Sequence, residues 1–398
     1  MIIQVPQNII PLDNILPEEP LLMMGAGPVP LPARVAAANS IVINHLGETM
    51  AQVVTQIKAM SAYVFQTESK HILGVAGPGS AAMEMAVVNL IKPGTKVLSV
   101  CNGFFSKRLA EMSERIGADV TYLHAEEPRF ADIQLVSEYM DKVKPEVLTI
   151  VQGETSNTVF NRTLPEICAL AQKNNCMVIV DAVCTLSTMP LEMDSWGVDA
   201  VITGGQKGLA SIPGVSLIAF SEKAWRFIEG RNDQLHHWCL DAKLADQFWY
   251  KNSYHYTAPV SGLLALHEAL RLICIETLDV RFERHLRHSL ALQAGITALG
   301  LDLYVKDEAR LNSVVGICVP GDLEGSKILQ HMSKRYRVEI SGSFGPNIVR
   351  IGQMGEQCRS HHLFRTLHAL GSTIKALGAD VDVPAGVAQL EQTLEGCD

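Results

Sequence analysis

MVIVDAVCTLSTMPLEMDSWGVDAVITGGQKGLASIPGVSLIAF, residues 177–220, decides the fold. It holds three short apolar runs, MVIVD (177–181), AVITG (200–204) and VSLIAF (215–220), and two more stand upstream, VLSV (97–100) and VLTIVQ (147–152). Between such runs, SKRLAEMSERIGA (106–118) and LPEICALAQKNN (164–175) space apolar residues three and four apart and stop near Gly or Asn, which reads as crossover helices. Strand-like and helical stretches in alternation predict an α/β fold, a mostly parallel sheet covered by helices.

Working outward, the first residues, to about 20, form a Pro-rich, extended N-terminal arm. GLLALHEALRLICIETLDVRFERHLRHSL (262–290) supports long helical stretches. After it GLDLYV, SVVGICVP and RVEIS alternate with helices near 325–335 and 361–377. The expected organisation is therefore an arm at 1–20, a large domain at 21–280 and a small α+β domain at 281–398. A chain of 398 residues with 47% hydrophobic content can bury more than one core.

Composition excludes several partners. A formal charge of −9, from 33 basic and 42 acidic residues, with no cluster of Lys and Arg among aromatics, argues against nucleic acid. The opening MIIQVPQNIIPLD has no charged leader and no apolar run is long enough for a membrane span, so a soluble, unexported, cytoplasmic protein is expected. Nine scattered cysteines, without CxxC or Cys/His pairing at metal-ligand spacing, suit a reducing compartment and imply neither disulfides nor a metal site.

The chemistry sits at the strand ends. AVITG runs into Gly205, Gln206 and Lys207 before the next strand, so Lys207 is poorly placed for solvent. On its own it would read as a turn lysine. MVIVD, however, ends on Asp181, at the edge where open α/β sheets place their ligands. A strand-end acid can simply cap a helix. Together the two are what a pyridine aldehyde needs: the carboxylate keeps the ring nitrogen protonated, and the amine forms a Schiff base and then moves a proton.

KHILGVAGPGSAAMEMAVVNL adds a phosphate site, turning from a strand through Gly77, Pro78, Gly79 and Ser80 into a helix whose free amides can hold a dianion. The same residues imitate a GxGxxA dinucleotide fingerprint. The following strand, KVLSVCNG, ends in Cys101, Asn102 and Gly103 instead of an acid for a ribose, which decides against that alternative.

These residues resemble the alanine–glyoxylate and serine–pyruvate aminotransferase family, class V of the fold-type I pyridoxal-phosphate enzymes. The motifs are GAGPVPLP (25–32), GPGSAAMEMA (77–86), NGFFSKR (102–108), QGETSN (152–157), VDAVCT (180–185), GGQKGL (204–209), YHYTAPV (254–260) and VRIGQMG (349–355). The resemblance implies a large domain built on a seven-stranded sheet, a small C-terminal domain, and pyridoxal 5'-phosphate carried by Lys207. It assigns Gly79 and Ser80 to the phosphate cup, Phe105 to the ring face, Val183 to the space beneath the ring, and Thr155 or Ser156 to the ring hydroxyl. Asp181 would pair with the ring nitrogen and Gln206 touch the phosphate. Tyr254 and Thr257 would reach the phosphate of a neighbouring subunit, which implies a homodimer. Arg350 matches the arginine that grips the substrate carboxylate, a task suited to a planar guanidinium, with Gly25 and Ala26 lining the same pocket. Singly, Phe105 could be core, Tyr254 a surface aromatic and Arg350 half of an ion pair.

Two stretches depart from the family pattern. In QGETSNTVFN (152–161) the family pattern has a small residue and a glycine after the ETS-like triplet, and Asn157, Thr158 and Phe160 are expected to reshape the pocket beside the ring, with Asn157 toward the substrate. SFGP (343–346), CRS (358–360) and RFERHLRH (281–288) look closest to the ureidoglycine–glyoxylate branch, whereas His45 in NHLGETM (44–50) stands where that branch carries glutamine. The expected reaction is a ping-pong transamination from a small, alanine- or serine-like amino acid to a 2-oxo acid such as glyoxylate or pyruvate. Alternatives are ureidoglycine–glyoxylate or specialised biosynthetic transamination, a desulfurase-like lyase, for which 305–345 offers only Cys318, and a non-catalytic vitamin-B6-binding protein. A form of the vitamin as substrate is a further one.

Overall fold

The computed structural model describes residues 6–396, so the first five residues of the arm and the last two, Cys397 among them, lie outside the described residues. Seven strands form the main sheet: β1 (His71–Ala76), β2 (Lys96–Cys101), β3 (Asp119–His124), β4 (Val147–Val151), β5 (Met177–Asp181), β6 (Ala200–Gly204) and β7 (Val215–Phe220). Their order is β1-β7-β6-β5-β4-β2-β3. β7 runs antiparallel to both its neighbours, and every other pair is parallel. Each residue of β4, β5, β6 and β7 is buried, which is why they are apolar without alternation.

The helices that position the site are α1 (Glu48–Phe65), α2 (Gly79–Leu90), α3 (Phe104–Arg115), α4 (Ile133–Val143) and α5 (Leu164–Lys173). α2 packs on β6 and β7, and α3 packs on β2. The long helical stretch near 262–290 is two helices, α6 (Val260–Glu276) and α7 (Leu278–Ala298), separated by Thr277 with φ +66°.

One core extends from Met50 to Leu278 around the sheet. A second gathers α7, α8 (Ser360–Ala376), α9 (Val383–Glu395) and the antiparallel pair β8 (Val314–Cys318) and β9 (Ile348–Gly352). Met24 belongs to this second core; of RVEIS, Val338–Glu339 pairs in parallel with Leu22–Met23 and Ser341 makes a single antiparallel bridge to Arg350. GLDLYV is not a full strand: it begins with Gly300, at φ +90°, and Leu303 makes one bridge to Ile317. No helix among the described residues is long and apolar enough to cross a membrane.

Candidate active site

At the C-terminal ends of β4, β5 and β6, a cleft of about 150 Å3 is lined by Gly79, Ser80, Phe105, Thr155, Asp181, Val183, Gln206 and Lys207. The strand ends bring these side chains together from five separate stretches of chain. Arg108, Met83 and Cys184 line it as well; none of the three was singled out in the sequence, although Arg108 closes the NGFFSKR motif and follows Phe104 and Phe105 at helical spacing.

Lys207 follows β6 in a tight turn, its ammonium donating to the Ala26 carbonyl. Burial lowers its proton affinity, and the nearby Arg350 charge lowers it further, against opposing pulls from Cys184 and Asp181. Asp181 is pushed the other way. Burial, with Glu154 adding like charge, raises its carboxyl to about 7 despite the Val183 N–H that donates to Oδ1 at 2.8 Å. No cation stands within ion-pair distance of Asp181 among the described residues.

Arg350 lies in β9, 5% exposed, and has no ion-pair partner among the described residues. Its Nε donates to Gly342 O at 2.6 Å and Nη1 donates to Thr155 O, which leaves Nη2 without a partner among the described residues. Burial lowers its pKa to about 10. The ion-pair alternative therefore has no counterpart among the described residues; the fork is anchored by main chain, although Arg350 is not itself among the residues that line the cleft.

Glu154 is the polar residue that sequence reading missed. Its buried carboxylate accepts from Phe105 N–H at 3.1 Å and Ser106 N–H at 2.9 Å, an anion on the start of α3 supplied from fifty residues downstream. Gly103 must be glycine for this approach, since a Cβ there would lie 2.3 Å from Glu154 Cγ. The cap fixes Phe105 at the cleft and Arg108 one turn on, where its guanidinium stacks on Phe104 and Phe105 and donates to Ser80 Oγ at 3.2 Å.

The Thr155 or Ser156 choice separates geometrically. Thr155 lines the cleft, whereas Ser156 Oγ donates to Glu154 at 2.6 Å and accepts from Phe104 N–H at 3.0 Å. Asn157 does not line the cleft. It is buried in the hairpin formed by Gly153–Glu154 and Val159–Phe160, where it donates to Asn102 O. Gly25 and Ala26 adjoin the site, Ala26 through Lys207 and Ser341, and Gly25 O through Gln357 at 2.7 Å. His45, Tyr254 and Thr257 lie elsewhere: the Ala258 N–H donates to His45 Nδ1 at 3.4 Å, and Tyr254 is exposed against the His45 ring.

Behind Lys207, Arg281 of α7 donates to Gly208 O at 2.8 Å and Ser187 O at 2.9 Å and pairs with Glu276 at 2.7 Å. Arg284 shares Glu276 and donates to Gly355 O and Cys358 O, just past β9. One carboxylate thus joins the turn of Lys207 to the strand of Arg350.

A sheet with this strand order, a buried lysine and a buried carboxylate at adjoining strand ends, and a helix N-terminus facing them define a pyridoxal-phosphate-dependent transferase of fold-type I. The chain belongs to the class-V aminotransferase family, which it matches over residues 33–360. It is 35% identical to the alanine–glyoxylate aminotransferase of Oryctolagus cuniculus, over 89% of this chain and 92% of that protein. It is 30% identical to the (S)-ureidoglycine–glyoxylate transaminase of Bacillus subtilis (strain 168), over 91% of this chain and 94% of that one. The crystal structure of ureidoglycine–glyoxylate aminotransferase from Bacillus subtilis superposes with a TM-score of 0.93, covering 96% of this chain and 99% of that chain at 30% identity.

The residues present fit the cofactor that this family implies. Gln206 Oε1 is buried at the cleft wall without a hydrogen-bond partner. Gly79 lies so close to the sheet that a Cβ would stand 2.9 Å from Val183, which lets the first amides of α2 approach a ligand. Asp181 offers an unpaired, buried carboxylate of the kind a protonated ring nitrogen satisfies.

Proposed function

We propose that this aminotransferase takes its amino group from a small amino acid, alanine or serine, and passes it to glyoxylate or pyruvate by a ping-pong route. Arg350 carries the reading: a buried guanidinium with no ion pair among the described residues, held by two carbonyls, with Nη2 unengaged among them and its charge felt by Lys207. A protein that only stored the vitamin would have no use for such a clamp.

When bound, pyridoxal phosphate supplies an aldehyde that condenses with amines and a ring that draws electrons from the substrate Cα. Gly79, Ser80 and Gln206 would hold its phosphate, Phe105 and Val183 its two ring faces, and Thr155 its hydroxyl. Asp181 would keep the ring nitrogen protonated, and a cation there would return the carboxyl to its ionised form. Burial lowers the proton affinity of Lys207 and so favours the neutral amine, the form that would attack a carbonyl and take the proton from the substrate Cα. Arg350 binds the substrate carboxylate and so fixes which Cα bond faces Lys207.

His45, Tyr254 and Thr257 stand apart from the cleft of their own chain, and Tyr254 is 59% exposed, which supports a homodimer whose sites draw on both subunits. The eight cysteines among the described residues are unpaired, in keeping with work in the cytoplasm. Cys318 is set in β8 with its thiol raised by burial, which weighs against a desulfurase nucleophile.

The test is a steady-state survey of alanine, serine, glutamate and ureidoglycine as donors, with glyoxylate and pyruvate as acceptors. Alanine or serine leading, with parallel double-reciprocal lines, and borohydride fixing the cofactor on Lys207, are the expected results. Ureidoglycine leading would move the chain to that branch, and no transfer from any donor would overturn the reading.

A further inference from the structure

Four consecutive residues cross from the second core to the site, and each holds a different part of it. Ser341 pairs with Arg350 through the main chain and accepts the Ala26 N–H on its hydroxyl at 2.9 Å. Gly342 O receives Arg350 Nε, and Ser343 Oγ donates to Ser156 O at 2.8 Å. Phe344 lies stacked on Phe104, with ring centres 4.8 Å apart and planes 16° from parallel, and stands edge-on to Phe105 at 6.2 Å. The Arg350 guanidinium sits 5.5 Å from the centre of the Phe344 ring.

Phe344 is nevertheless 59% exposed and Phe104 40% exposed. The two rings gain little as core, yet hydrogen bonds through Ser341, Gly342 and Ser343 brace the segment that presents Phe344. A ring held this firmly and left this open adjoins the cleft through Phe105, which lines it, and lies against Arg350, the residue proposed to hold a substrate carboxylate. A donor whose carboxylate lies on Arg350 Nη2 and whose amine meets Lys207 has to direct its side chain past these rings.

We propose that Phe344, braced on Phe104, is the specificity-determining wall of this site, admitting donors with side chains no larger than those of alanine and serine and turning away branched and aromatic ones. This rests on the small-donor reading above. Apolar walls discriminate by size over roughly ten- to 200-fold. Removing the ring therefore changes the ratio between donors, whereas a ring that merely supported Arg350 would change all donors alike.

The experiment compares the wild-type holoenzyme with Phe344→Ala and Phe344→Leu, measuring kcat/KM for alanine, serine, leucine and phenylalanine against glyoxylate. The expected result is a rise of at least tenfold in the phenylalanine-to-alanine ratio for Phe344→Ala, with a smaller rise for Phe344→Leu, which also serves if the alanine variant does not fold. Calorimetry on the holoenzymes gives a reading free of turnover: 3-phenylpropionate should gain affinity relative to propionate in the same order. Ratios within threefold of wild type, in an enzyme that prefers alanine to phenylalanine, overturn the wall alone. A wild type that uses phenylalanine as readily as alanine overturns the wall and the small-donor reading together.

Discussion

Exchanging Arg350 for methionine removes a charge that two different functions share. Its guanidinium is 5% exposed and is anchored by Gly342 O and Thr155 O, so the side chain cannot swing away and be replaced by water at little cost. Truncating one partner of a buried, hydrogen-bonded charge pair costs about 2–5 kcal/mol, or roughly 30- to 4000-fold in kcat/KM for the amino donor. Arg350→Lys keeps the charge and loses the fork, for about 1.5–3 kcal/mol, roughly ten- to 150-fold. The same charge also holds down the proton affinity of Lys207, second to burial as a lowering cause. Arg350→Met should therefore move Lys207 to higher pKa, while Arg350→Lys leaves it nearly in place. Donor kinetics and the pH dependence of competitive acylation of Lys207 in cofactor-free protein measure the two effects, with denaturant unfolding as the control for folding. A folded Arg350→Met enzyme whose kcat/KM for its donor stays within threefold of wild type would refute the clamp, and an unmoved acylation profile would refute the coupling.

Lys207→Ala should lower transamination by at least a thousandfold and abolish borohydride labelling while leaving the unfolding midpoint close to wild type, as checked by steady-state assay and mass spectrometry. Asp181→Asn should stabilise the cofactor-free protein at pH 8 even as it removes activity. Burial raises the carboxyl from 3.8 to about 7, so the folded chain binds the extra proton and loses stability as pH rises between those values, by at most about 4 kcal/mol. The advantage of the asparagine variant should vanish below pH 4, and melting curves across pH 3.5–8.5 would show it. Arg281→Met, which strands Gly208 O and Ser187 O and leaves Glu276 to Arg284 alone, should cost about 1–3 kcal/mol for each stranded carbonyl in denaturant unfolding, with Arg281→Lys costing less.

The buried strands β5, β6 and β7 are legible in sequence because they are covered on both faces and need no polar alternation. β3 is not, since the edge strand DVTYLH keeps several residues partly exposed and breaks its own apolar run. The direction of β7 follows from a connection of ten residues after Gly204, too short to hold a crossover helix, so the hairpin-like return is the available path. Asp181 and Lys207 were visible as strand ends. Glu154 was not, because a carboxylate that caps α3 is fifty residues from it in sequence and nothing local marks the pairing. Asn157 shows the opposite failure: a departure in the motif suggested the pocket, but its side chain turns inward to Asn102 O.

Met24 lies in the second core and Leu22–Met23 pairs with Val338–Glu339, so residues made early in the chain complete a structure made near its end. Ala26, whose carbonyl receives Lys207, finds the Ser341 hydroxyl across 315 residues. During synthesis at about 5–20 residues per second, that segment waits roughly 15–60 s without its partner. The first core, closed by Leu278, can assemble in the meantime around a bare Lys207. A chain stopped before residue 341 lacks both the Ser341 hydroxyl that accepts the Ala26 N–H and the Arg350 fork that grips Thr155 O, so the site is complete only when the strand of Arg350 has been made.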